Sequence, residues 1–195
     1  MRTLLLTIFL VTIFPAAALR AQEDMFQDTA DEIVKKLTRP AVKTRGFVPN
    51  SKIKSRDIKV VEKDEHQIVE KTIIVTKNDT SPRVNMKIEF DYNSYLIRRS
   101  SFTLLNELAK AITDKKLSDK TIIIKGHTDS DGSDAYNLIL SLNRALSVLN
   151  YILANFPVEA SRLRSVGYGE ALPLVPNNSA ASKQVNRRVE IQLEK

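Results

Sequence analysis

The chain has 195 residues, with 30 Lys and Arg against 23 Asp and Glu for a formal charge of +7, and 43% of its side chains are apolar. That composition fits one well-filled globular core, and five Gly and seven Pro exclude collagen-like or Gly-rich low-complexity architecture. The absence of Cys excludes a disulfide framework, a thiol nucleophile, thiolate metal sites and a lipid-modified cysteine.

At the start of the chain, Arg2 precedes an apolar run from Leu4 to Phe14, followed by Pro15 and the small residues Ala16, Ala17 and Ala18. This reads as a secretory signal peptide over residues 1–21, cut after Ala18 or Ala21. The rival, an uncleaved anchor, has only the 16 residues Leu4 to Leu19, one of them a proline, where roughly 20 apolar residues span a bilayer. Cleavage removes Arg2 and Arg20 and lowers the formal charge from +7 to +5. No other run reads as membrane-spanning. An exported chain without cysteine suits a bacterial periplasm, where a lone thiol is exposed to oxidation.

Residues 22–83 read as an N-terminal spacer. Phe26, Ala30, Ile33, Val34 and Leu37 share one face of a short amphipathic helix ending near Thr38. Lys43 to Lys59 reads as a solvated basic linker, and Val60, Val61, Ile68, Val69 and Ile73 to Val75 supply one or two short strands. From Val84 the periodicity sharpens. Val84, Met86, Ile88 and Phe90 alternate with polar residues as in a strand with one buried face. Phe102, Leu105, Leu108, Ala109 and Ile112 form a helical stripe, and Ile122 to Ile124 a deeply buried strand ended by Gly126. A second helix carries Leu138, Leu142, Ala145, Leu146, Leu149, Ile152 and Leu153, before strands at Leu163 to Tyr168 and Val189 to Leu193. The fold class is therefore α/β: two consecutive βαβ units form a mixed sheet with helices packed on it. Its first three strands run parallel and the last closes the sheet.

The densest polar segment, Gly126 to Asp134, follows the central strand and precedes a helix, the edge where open α/β sheets bind ligands. At 100° per residue Asn137, Ser141 and Arg144 fall on one polar stripe of that helix. With Asp129 in the loop above, this makes a pocket of both charge signs, suited to a zwitterion. The competing reading has Asp129 capping the helix and Arg144 as a solvated or salt-bridged surface residue. Other chemistries fit less well. A calcium loop starting at Asp129 would need Gly sixth and Glu twelfth, where Asp134 and Leu140 stand. His127 beside Asp129 aims at no serine and no G-x-S-x-G turn exists, so no nucleophilic triad is read. His66 and His127 alone cannot form a histidine-rich zinc site. With 15 basic and 12 acidic groups, residues 84–195 lack the basic face a nucleic acid requires.

Phe90-Asp91 with Ser94, Gly126-His127-Thr128-Asp129 with Gly132, Asn137 to Ala145, Gly167-Tyr168-Gly169-Glu170 and Asn186 to Glu190 occur in that order. Together they resemble the OmpA-like peptidoglycan-binding domain family from Val84 to the C-terminus. The resemblance implies an envelope protein, in the periplasm or associated with the outer membrane, that is not an enzyme and needs no cofactor or metal. It implies non-covalent binding of peptidoglycan through the diaminopimelate of its stem peptides. Asp129 would accept from the ligand's amino group and Arg144 would pair with its carboxylate, while Asn137, Asp91 and Arg187 add contacts. Two departures stand out: Asn143 where the family often has a basic residue, and the extra charge of Asp131. The resemblance does not reach residues 22–83, and the alternative function is an adaptor recruiting an envelope protein through them. Homo-oligomerisation would strengthen binding to a polymer.

Overall fold

The computed structural model describes residues 25–40, 55–64, 67–76 and 81–194. The expected signal segment and most of the basic stretch Lys43 to Lys59 lie outside the described residues.

Helix α1 (Ala30–Leu37) starts at Thr29, whose side chain accepts from the Glu32 amide, with Asp31 and Glu32 in its first turn and Lys35 and Lys36 in its last. Both charge placements complement the helix dipole. Its buried Ile33, Val34 and Leu37 pack toward α2 (Phe102–Thr113), and Glu107 of α2 accepts a 3.0 Å hydrogen bond from the Ala30 amide. The helix-containing character of this segment is thus present, but residues 55–76 do more than link. They form an antiparallel hairpin, β1 (Ser55–Asp64) and β2 (Gln67–Thr76), in register from Ser55 opposite Thr76 to Asp64 opposite Gln67.

The hairpin joins the remaining strands, β3 (Arg83–Met86), β4 (Ile122–Gly126), β5 (Leu163–Gly167) and β6 (Val189–Leu193), in one six-stranded sheet of order β2-β1-β5-β4-β6-β3. β4 and β5 are parallel, and β6 is antiparallel to both β4 and β3. β3, β4 and β5 therefore share one direction, as expected, while β6 inserts between β3 and β4. β3 is shorter than its alternation suggests, stopping at Met86; Phe90 makes only an isolated bridge to Ile97.

α2 and the long α3 (Asp134–Asn155) cover one face of the sheet. Leu105, Leu108 and Ile112 from α2, Val148 and Ile152 from α3, and Val84, Met86, Ile122, Ile124, Val189 and Ile191 from the strands form the main core. Each fully buried aliphatic side chain contributes roughly 1.5–3 kcal/mol. α3 has the length and apolarity of a membrane span. Its buried stripe, which includes Ala145, Val148 and Ile152, instead faces the sheet, as in a core helix. A short α4 (Ala180–Asn186), opened by a Ser179–Ser182 capping box, leads into β6.

Two glycines set how closely α3 lies on the strand ends. A Cβ on Gly126 would overlap the Ser141 carbonyl oxygen, and one on Gly167 would sit 2.6 Å from the Leu138 oxygen. Helix backbone therefore touches strand backbone directly beneath the loop that follows β4.

Candidate functional site

The loop 127–133 is held from both sides. The His127 amide donates to the Arg188 carbonyl at 3.0 Å and the Thr128 amide to that of Gly169 at 2.9 Å. Ser133, and not Asp129, caps α3 by accepting from the Tyr136 amide. Asp129 is only 6% exposed, and its Oδ1 accepts the Asp131 amide at 3.0 Å, an Asx turn that aims the carboxylate across the strand ends. Its Oδ2 pairs with Arg187 Nη1.

Asp129, Arg144, Asn137, Asp91 and Arg187 all line one cavity of about 480 Å³, together with Phe90, Tyr92 and Tyr136. The five positions come from the loop after β4, from α3, from the turn after β3, and from the junction between α4 and β6. Their side chains do different things. Arg144 is 8% exposed, its Nε donates to the Ser94 carbonyl at 3.0 Å, and its guanidinium lies over the Phe90 ring at 5.1 Å. No carboxylate among the described residues stands within 4.0 Å of it, so the surface ion pair of the competing reading is not formed. Burial pulls its pKa below the ordinary guanidinium value, with Tyr136 and Asp129 pulling the other way and Arg187 adding to the depression. A buried guanidinium that lines the cavity, with its Nε fixed and no carboxylate partner among the described residues, is set to meet an anion.

Asn137 is 1% exposed, and its amide donates to the Asp129 carbonyl (3.3 Å), the Asp131 carbonyl (3.1 Å) and Glu170 Oε2 (2.6 Å). It shapes the loop that carries Asp129. Ser141, next on the stripe, accepts from the Gly169 amide at 2.9 Å and donates to the Leu138 carbonyl, tying α3 to the end of β5. Asp91 accepts from Arg98 Nε at 3.1 Å at the outer wall. The additional charge of Asp131 is met by Lys183 at 2.6 Å, so the net negative charge it brings to the cavity is small.

Sequence reasoning missed the Phe90 platform under Arg144, the Arg187–Asp129 pair and the role of Arg188. Neighbours in the chain, Arg187 and Arg188 leave on opposite sides. Arg188, 3% exposed, donates to Asn85 Oδ1 at 3.1 Å and the Leu172 carbonyl at 3.1 Å, and burial lowers its pKa to about 10. That anchorage orients Arg187 toward the cavity. The alternation of a strand start could have signalled the split.

His127 is 1% exposed, and burial first, then Arg188, Lys125 and Arg83, push its pKa well below 6.5. Neither ring nitrogen has a hydrogen-bond partner, and the ring packs near Tyr168 with centroids 5.3 Å apart. A neutral, enclosed imidazole of this kind has no substrate within reach as a general base. Among the described residues no group of three His, Asp or Glu is arranged to hold a metal ion.

The sequence profile of the OmpA family matches residues 89–187, the stretch from the Asp91 turn to Arg187. Outer membrane porin F of Pseudomonas aeruginosa is 36% identical over 112 residues, covering 57% of this chain and 31% of the porin. Outer membrane protein A of Bordetella avium is 34% identical over 104 residues, covering 53% of this chain and 52% of that protein. The chain thus spans about half or less of the length of these two curated relatives. A MotB-like protein of Desulfovibrio vulgaris shares the fold at 24% identity, with a TM-score of 0.50 over 92% of this chain and 98% of that one.

Proposed function

The chain belongs to the OmpA family, and on that premise we propose that its C-terminal domain binds cell-wall peptidoglycan without covalent chemistry. It does so by gripping the diaminopimelate side chain of a stem peptide between Asp129 and Arg144. The observation that carries this reading is the buried Arg144 guanidinium, without a carboxylate partner among the described residues, in the cavity that also holds the Asp129 carboxylate. Diaminopimelate ends in an ammonium and a carboxylate on one carbon, and one charge of each sign answers it. Each charge-assisted contact contributes about 1.5–3 kcal/mol. The ammonium shares Asp129 with Arg187, whose side chain is 36% exposed and can yield Oδ2. The neutral, enclosed His127 supports a binding role over a catalytic one.

A single pocket of this kind binds in the micromolar range, about −8 kcal/mol, so a wall that displays many stem peptides rewards several copies held together. The reading places the protein in the bacterial envelope on the periplasmic side. The test is co-sedimentation of the purified chain with insoluble peptidoglycan of the diaminopimelate type and of the lysine type, which lacks the second carboxylate. The chain pellets with the first and stays in the supernatant with the second, and a soluble diaminopimelate-containing tetrapeptide releases it. Equal sedimentation with both walls, or with neither, refutes the assignment.

A further inference from the structure

Beside the cavity, residues 90–98 form a small closed hairpin that the peptide pocket does not use up. The Asp91 amide donates to the Leu96 carbonyl at 3.0 Å, Arg98 to Glu89 at 3.0 Å and Ser94 to Asp91 at 3.2 Å, while Ser94 Oγ accepts from the Leu96 amide at 3.0 Å. At its tip Asn93 has φ 51°, the one left-handed non-glycine among the described residues. This fixed turn presents Tyr92 at 96% exposure, Leu96 at 62% and Tyr95 at 51%. An ordered tip that holds three large apolar side chains in water signals a contact surface.

Across the cavity mouth stands Tyr136, 42% exposed, on the first turn of α3. Its ring is held at two points: its hydroxyl bonds Asn93 Oδ1, and the Gly132 backbone lies so close that a Cβ there would sit 3.3 Å from the ring. Tyr92, Asn93 and Tyr136 all border the cavity that holds Asp129 and Arg144. The rim is therefore continuous with the peptide site, and its turn backbone and the Tyr136 ring are already ordered, so a ligand that settles on it has mainly the Tyr92 side chain left to immobilise.

We propose that Tyr92 and Tyr136 form a second subsite that takes a sugar ring of the glycan strand next to the peptide pocket. This inference rests on the peptidoglycan reading above. A pyranose has an apolar C–H face and a rim of equatorial hydroxyls. Tyrosine offers the matching apolar face with a polar end, and the planar polar groups of Asn93, Asp91 and Arg98 stand around it to meet hydroxyls. The rim borders the same cavity as Asp129 and Arg144, and a stem peptide is attached to a sugar of the glycan strand, which favours a sugar ring over a protein helix or a second copy of this chain as the occupant. The arrangement makes the domain a reader of the junction between glycan and peptide.

The test compares two soluble probes on the full chain: a diaminopimelate-containing tetrapeptide, and the same peptide carrying its disaccharide. The disaccharide form binds the wild type about tenfold more tightly, and Tyr92→Ala brings the ratio of the two affinities to about one. The chain has no Trp, so Tyr92→Trp supplies a lone tryptophan that can be excited selectively. Its emission shifts when the disaccharide-peptide is added and not with the sugar-free peptide. Equal wild-type affinities for the two probes overturn the sugar subsite and leave the peptide pocket standing. Binding of neither probe overturns both. A Tyr92→Ala variant that changes oligomeric state while the ratio persists assigns the tip to contact between copies, and also overturns the inference.

Discussion

Replacing Arg144 by Met separates a ligand-binding arginine from a structural one, because the two roles move stability and affinity differently. The substitution keeps a long side chain over Phe90 but removes the charge, the Nε bond to the Ser94 carbonyl and the stacking of a cation on the ring. Those losses cost about 1 kcal/mol for the hydrogen bond and about 0.5–1 kcal/mol for the cation–π contact. Against them stands relief from burying a guanidinium, the main cause of its lowered pKa, and apolar replacements of buried charges are often neutral or stabilising. The stability change is therefore within about 1 kcal/mol of zero. Binding loses a bidentate carboxylate contact of about 3 kcal/mol, roughly 150-fold in Kd. Titration calorimetry with the soluble tetrapeptide, paired with thermal unfolding of the same variant, reads both quantities. An affinity within threefold of wild type in a folded variant refutes the role given to Arg144. So does a loss of affinity that only follows a collapse in Tm.

Three further outcomes follow from the geometry. Gly126→Ala drives a methyl into the Ser141 carbonyl; it costs about 3 kcal/mol, or roughly 10 °C in Tm for a chain of this size, read by calorimetry. Asn137→Ala removes the donors to Asp129, Asp131 and Glu170. It destabilises by about 2 kcal/mol and weakens peptide binding as well, since the loop bearing Asp129 loses its brace. The His127 imidazole is held neutral in the fold, with its pKa below 6.5. As pH drops below 6.5 the unfolded chain takes up a proton that the folded chain does not, and stability falls by up to about 1.4 kcal/mol per pH unit until the folded-state pKa is reached. His127→Leu flattens that portion of the Tm–pH curve, and an unchanged slope in the variant refutes the assignment.

What could be read along the chain was local. Ile122 to Ile124 followed by glycine announces a buried strand, and the 3.6-residue stripe of α3 brings Asn137, Ser141 and Arg144 to one side. The hairpin of residues 55–76 was less legible, because Arg56, Asp57, Lys59, Glu62 and Lys63 interrupt its apolar alternation. Those charges are accommodated across strands: Glu62 receives Lys71 at 2.8 Å and Arg164 Nε at 2.9 Å, a pairing that couples positions 102 residues apart. Separations of 58 and 43 residues likewise hide the Asp129–Arg187 pair and the Asn93–Tyr136 bridge. A polar stripe reveals which residues share a face, while burial decides their work. Asn137 turns its amide to the loop and Ser141 its hydroxyl to a strand end, while Arg144 lines the cavity with no carboxylate partner among the described residues.

The position of β6 has a consequence for how this chain is made. The strand synthesised last of the six is not at an edge but lies between β4 and β3. Until residues 189–193 pair, β3 has no neighbour in the sheet, and Arg187 is not held against the loop it pairs with. Such non-local closure is slow compared with helix formation. The folding domain is therefore an open sheet until that point, exposed to chaperones and proteases, and the two halves of its binding site meet only when the last strand slots in.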